Sequence, residues 1–104
     1  MRIVVVGGAG LMGRIALRDL VESPQVDEIV IADLNPEQGY RLVEQIGSSR
    51  LHFVQLDVTD EAALAAVLRG ADACLNATVY YFNLAVMRAC LAARTHYLDL
   101  GGLF

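Results

Sequence analysis

The segment Gly8-Ala9-Gly10-Leu11-Met12-Gly13 follows a short apolar run, Arg2 to Val6, and opens a helical pattern, so this G-x-G-x-x-G stands where a strand turns into a helix. A diphosphate suits such a turn. Gly8 is expected to allow the tight turn, Gly10 to let the backbone touch a pyrophosphate where a Cβ would collide, and Gly13 to let the helix lie close on the strand. The amides of Leu11 and Met12 then face the ligand from the positive end of the helix dipole. Asp33 stands twenty residues beyond Gly13, at the end of the next apolar run. A carboxylate in that place accepts hydrogen bonds from an adenosine ribose and repels the 2′-phosphate of NADP. No arginine follows it until Arg41, so NAD is the expected cofactor. The plainer reading of Asp33 is a cap on the Asn35-Pro36 turn.

Further along, Asp57 and Val58 close the third apolar run, where an adenine would lie, and Asp57 is placed to accept from its amino group or simply to shape the turn before Thr59. Asn76, Ala77 and Thr78 close the fourth run. Small residues there let the ribose and pyrophosphate pass, and Asn76 or Thr78 can hydrogen-bond them. Tyr80, Tyr81 and Phe82 are more often packing than ligand contacts, and His96 precedes the fifth strand while His52 begins the third, both at amino ends of strands and away from the crevice. Asp99 before Gly101-Gly102 is a weaker substrate-side candidate. No catalytic residue and no metal site is assigned.

These residues need a scaffold that brings strand ends together. The apolar period alternates between continuous runs and 3.6, which is the pattern of alternating strands and helices. Strands are expected at Arg2 to Val6, Glu28 to Asp33, Leu51 to Leu56, Asp72 to Asn76 and His96 to Leu100. The first helix, from Leu11 to about Glu22, carries Leu11, Ile15, Leu17, Leu20 and Val21 inward and stops at Ser23-Pro24. Asn35-Pro36 begins the second, with Leu42, Val43 and Ile46 inside and Gly47 as its stop. Thr59 is expected to cap the third, closed by Gly70, and the fourth, Phe82 to Arg94, to turn Leu84, Met87 and Leu91 inward. Short right-handed crossovers close this into an α/β, Rossmann-like doubly wound parallel sheet of five strands, order 3-2-1-4-5, with helices on both faces. The chain direction reverses between strands one and four, so the crevice lies beyond their carboxyl ends.

With 104 residues the chain has room for one core and one crevice, and 1–104 is read as a single dinucleotide-binding domain. Its net charge of -4 and scattered charges give no stripe for nucleic acid or an anionic membrane. All eight basic residues are arginine, which excludes a Walker lysine, a Schiff-base lysine and a Tyr-x-x-x-Lys dyad. Cys74 and Cys90 form neither a C-x-x-C nor a zinc pattern and read as buried thiols. Glycines interrupt the first apolar run, and no run approaches the roughly 18 residues of a membrane span, so the cytoplasm is the expected compartment.

Laid out this way, the chain resembles the nucleotide-binding domain of the saccharopine dehydrogenase-like oxidoreductases, especially their lysine 6-dehydrogenase branch. The carriers are the glycine turn with Arg18-Asp19-Leu20, Ala32-Asp33, Leu56-Asp57-Val58, Asn76-Ala77 with Tyr81-Phe82-Asn83, and His96-Tyr97-Leu98-Asp99-Leu100-Gly101-Gly102. The resemblance implies an oxidoreductase acting on the carbon–nitrogen bond of an amino acid, with hydride passing to nicotinamide and an imine hydrolysed. NADP-using relatives tend to carry serine and arginine after the second strand, where this chain has Asp33-Leu34. Members of the family continue into a substrate and dimerisation domain, so a fragment of a longer enzyme, with possible self-association, is expected. A nucleotide-sensing module and a short-chain dehydrogenase-like protein, the latter from Gly7-x-x-Gly10-x-x-Gly13, are the alternatives.

Overall fold

The computed structural model describes residues 1–78 and 82–99, the side chain of Leu11 excepted. In chain order the elements are β1 (Arg2–Val6), α1 (Leu11–Glu22), β2 (Glu28–Asp33), α2 (Pro36–Ile46), β3 (Leu51–Gln55), α3 (Glu61–Leu68), β4 (Ala73–Asn76), α4 (Asn83–Ala93) and β5 (His96–Asp99). All strands are parallel, in the expected order β3-β2-β1-β4-β5. β1 is central, and its run of β-branched residues is buried because both faces of a parallel sheet are covered. Side chains alternate across it. Val4 and Val6 join Val30, Cys74, Leu64, Leu68 and Val86 on the side of α3 and α4. Ile3 and Val5 join Ile29, Ile31, Leu17 and Leu42 on the side of α1 and α2. The doubly wound arrangement is therefore present, with an apolar layer on each face.

Local chemistry sets the helix bounds. In α2, Asn35 accepts from the Gln38 amide at 3.1 Å, Pro36 fills the first turn, and Gly47 ends the helix with φ of 70°. α1 is capped at Ser23, and Arg50 collects carbonyls at its end and just beyond it, its guanidinium donating to Ser23 O at 3.0 Å and also to Val21 O and Val26 O. A cation at a helix C-terminus is favoured by the dipole. This pins the connection from α1 to β2 against the start of β3.

Four expectations are corrected here. The cap of α3 is Asp60, whose side chain accepts from Ala63 N at 3.1 Å, while Thr59 turns back to Asp57. Asp60→Ala should therefore lower unfolding free energy by about 1 kcal/mol and Thr59→Ala by less. Paired thermal melts would check this, and equal losses would return the cap to Thr59. In α1, Ile15 is 54% exposed, because it lies two residues from both Gly13 and Leu17, across the helix from the face they bury. In α4, Leu84 is 69% and Leu91 80% exposed, and Met87 also faces outward, whereas Val86, Ala89 and Cys90 are buried. Two apolar stripes compete in that helix. The smaller residues win because they let α4 approach α3 and β4 closely, where leucines would hold it off. β4 also begins at Ala73 rather than Asp72, whose carboxylate accepts from Arg2 N at 2.7 Å. Leu100, the expected end of β5, lies outside the described residues.

Candidate nucleotide site

The turn from β1 to α1 begins at Gly7, whose φ of +78° few residues other than glycine adopt. That is one position earlier than expected from the spacing. Its amide donates to Ala32 O at 2.7 Å and its carbonyl accepts from Gly10 N at 3.2 Å, so the turn is tied to β2 and to itself. A Cβ on Gly7 would also come within 3.0 Å of Thr78 Cγ2, which brings the loop after β4 against the turn. Gly8 is needed for space over the sheet, since its Cβ would meet Ile31 Cγ2 at 2.9 Å. Gly13 packs on the turn rather than on the strand, and Gly10 is open, with only Gly7 O at 3.4 Å from an added Cβ.

α1, like α4, has neither a side-chain cap nor an acidic residue in its first turn, whereas α2 and α3 have both. The amides of Leu11, Met12 and Gly13 belong to the first-turn donors that a helix cannot satisfy internally. An anion over Gly10 would satisfy them and gain from the dipole. The chain thus fits a diphosphate at this point on its own geometry.

Beside the turn lies a pocket of about 220 Å³ lined by Gly7, Ala32, Asp33, Leu34, Leu56, Asp57, Val58 and Thr78. It brings the ends of β1, β2, β3 and β4 to one place, as the topology demands. Asp33 is half-buried there, with Oδ2 accepting from Ala9 N at 3.0 Å and Oδ1 from Asn35 N at 3.1 Å. Both the turn-capping role and the pocket position are therefore realised. A carboxylate has about four acceptor positions, so two remain for ribose hydroxyls. Asp57 is exposed, and its Oδ1 accepts from Thr59 N at 2.9 Å and from Thr59 Oγ1 at 2.6 Å. The bonds from Thr59 hold its carboxyl below the usual carboxylate range.

Asn76 has a different part from the one its position suggests. It is only 1% exposed, and its amide is fully engaged. Nδ2 donates to Asn83 Oδ1 at 2.8 Å and to Tyr97 Oη at 3.2 Å, while Oδ1 accepts from Thr78 N at 3.1 Å and Thr78 Oγ1 at 2.5 Å. It shapes the loop that carries Thr78. Thr78 lines the pocket, and Ala77 is held by its amide to Val6 O at 2.8 Å.

His52 and His96 are exposed at the starts of β3 and β5, remote from the strand ends that form the pocket. Tyr80, Tyr81, Gly101 and Gly102 lie outside the described residues. Cys74 and Cys90 are buried free thiols, and burial pushes both thiols up, away from the reactive thiolate. Among the described residues no group of three or more His, Cys, Asp or Glu side chains could hold a metal ion, and no helix is long and apolar enough to cross a membrane. Sequence reasoning missed the pocket roles of Ala32, Leu34 and Leu56 and the positive φ of Gly7, and it missed Arg14, whose Nε donates to Ala9 O at 3.1 Å. The doubled glycine after Val6 is the signal for Gly7. Nothing comparable marks Arg14.

Comparison with known proteins places these observations. The family model described as the saccharopine dehydrogenase NADP binding domain matches residues 3–102. The chain is 28% identical over 98 residues to the carboxyaminopropylagmatine dehydrogenase of Synechocystis sp., covering 92% of this chain and 25% of that protein. It is 37% identical over 65 residues to the mitochondrial (-)-isopiperitenol/(-)-carveol dehydrogenase of Mentha piperita, covering 62% and 24% respectively. The apo saccharopine dehydrogenase (L-Glu forming) from Saccharomyces cerevisiae superposes with a TM-score of 0.85 at 20% identity, over 99% of this chain and 22% of that one. This last likeness is one of fold. The chain spans about a quarter to a third of the length of the curated relatives it matches.

Proposed function

The chain belongs to the family of saccharopine dehydrogenase NADP-binding domains, and we propose that within it this member holds NAD as the nucleotide half of an amino-acid oxidoreductase. The amides of Leu11, Met12 and Gly13 would hold the pyrophosphate over Gly10, and Asp33 would hold the adenosine ribose. Asp57 and Val58 would flank the adenine, with Thr78 and Ala77 on the far side. NAD would supply, when bound, a hydride acceptor for a carbon bearing nitrogen. The amino-acid substrate is held by a surface outside these residues, in keeping with a chain that spans about a quarter to a third of the length of its curated relatives.

One observation carries the choice of NAD. The Asp33 carboxylate lines the pocket beside Gly7, and no arginine lines it among the described residues. A 2′-phosphate there would face a like charge without a partner. Calorimetric titration of the chain with NAD and with NADP at one salt concentration tests the proposal. NAD should bind about tenfold tighter than NADP, the effect of one like-charge contact of roughly 1 to 2 kcal/mol in a half-exposed site. Equal or tighter NADP binding would overturn the NAD assignment, and no binding of either by the folded chain would overturn the site.

A further inference from the structure

Asn76 is the buried node of a part-buried polar chain that begins outside the nucleotide pocket and ends on its wall. Asn76 closes β4 in register with Asp99 at the end of β5, and Tyr97 stands on the same face of the sheet, packed against the α3 and α4 core. The far end of the chain fixes the direction of each proton. A carboxylate only accepts, so Tyr97 Oη donates to Asp99 Oδ2 at 2.9 Å and is left to accept from Asn76 Nδ2 at 3.2 Å. The second proton of Nδ2 goes to Asn83. Oδ1 is thereby turned toward Thr78, where it accepts both the backbone N–H and the hydroxyl.

Thr78 is the part of this chain that meets the site. It lines the pocket, and it lies so near the glycine turn that a Cβ on Gly7 would be 3.0 Å from its Cγ2 and 3.1 Å from its amide nitrogen. A displacement of a few tenths of an ångström at Thr78 therefore moves the turn or opens the pocket. We propose that Tyr97 and Asp99 are positioning residues for the nucleotide: by fixing which way the Asn76 amide points, they set the wall formed by Thr78. This rests on the nucleotide reading above. Burial pushes the Tyr97 phenol up to about 12, so it stays a proton donor across the working pH range. Without the phenol oxygen, Asn76 can rotate its amide and set a donor against the Thr78 N–H, at the cost of a buried unsatisfied group.

The test compares the wild-type chain, Tyr97→Phe and Asp99→Asn, each shown folded by circular dichroism, for NAD affinity by calorimetry. The amide resonances of Gly7 and Thr78 are followed in the same samples without nucleotide. Tyr97→Phe should weaken NAD binding about fivefold to tenfold and shift both resonances. Asp99→Asn, which keeps the volume and an acceptor but can also donate, so that it no longer fixes the direction of the tyrosine proton, should do the same to a smaller extent. A merely structural tyrosine would lower the melting temperature and leave the affinity of the folded chain within about twofold of wild type. That result, or unmoved Thr78 and Gly7 resonances, would overturn the assignment. If Tyr97→Phe does not fold, Asp99→Asn decides by the same two readouts. Failure of the wild-type chain to bind NAD would instead remove the nucleotide reading, and this assignment with it.

Discussion

Asp33→Ala is expected to weaken NAD binding about tenfold to a hundredfold, the consequence of losing charge-assisted hydrogen bonds of roughly 1.5 to 3 kcal/mol in total. The carboxylate has two tasks that the alanine variant removes together. It accepts the Ala9 and Asn35 amides, which hold the glycine turn to the end of β2, and its remaining lone pairs are offered to the ribose. Asp33→Asn separates them. The amide oxygen can still accept one of the two backbone bonds, while the charge that repels a 2′-phosphate is gone. NADP binding should accordingly rise in Asp33→Asn and the gap between the two nucleotides narrow to about threefold or less. Both affinities are read by calorimetry at one salt concentration, since exposed charges are screened. An Asp33→Ala variant that keeps wild-type NAD affinity would confine Asp33 to the turn, and an unchanged ratio in Asp33→Asn would remove charge as the source of selectivity.

What was legible in the sequence was what one short window decides. A continuous run such as Ile3 to Val6 reads as a strand covered on both sides, and five strand patterns alternating with four helical ones leave few topologies. Asn35, Pro36 and Gly47 act within a turn of where they stand, and they were found. The face of α4 was not, because Leu84, Met87 and Leu91 compete with Val86, Ala89 and Cys90, and the outcome depends on how closely α3 and β4 stand. Asn76 shows the same limit at the site. Its place at a strand end was legible, but its partners Tyr97 and Asn83 come from 21 and 7 residues away, and only packing reveals that they use up its amide. Gly7 and Gly8 divide between them a role the spacing gave to Gly8 alone, since the motif counts residues and the turn is decided by φ.

The glycine turn itself separates folding from binding. On Gly13 a Cβ would lie 2.5 Å from Gly8 Cα and 2.7 Å from Gly7 O, and these are backbone atoms that cannot swing aside. Gly13→Ala gains about 1 kcal/mol of helix propensity, yet it must either lift α1 from the turn or push the turn toward Thr78. Overpacking of this kind costs about 1 to 3 kcal/mol and can exceed it when backbone must move. The net expectation is a loss of about 1 to 2 kcal/mol, read as a melting temperature lower by roughly 5 to 15 °C, together with loss of NAD binding. Gly10→Ala should behave oppositely. Gly10 has φ of -75° and ψ of 175°, which alanine adopts freely, and its Cβ would meet only Gly7 O at 3.4 Å. Its melting temperature should stay near that of wild type, while NAD binding falls at least about tenfold because the methyl group occupies the place of the pyrophosphate. Thermal melts and NAD titrations of the two variants give four numbers. Unaltered stability in Gly13→Ala would mean that the turn is looser than its contacts indicate. Full NAD affinity in Gly10→Ala would mean that the phosphates do not lie over that residue, because no other property of the variant is expected to change.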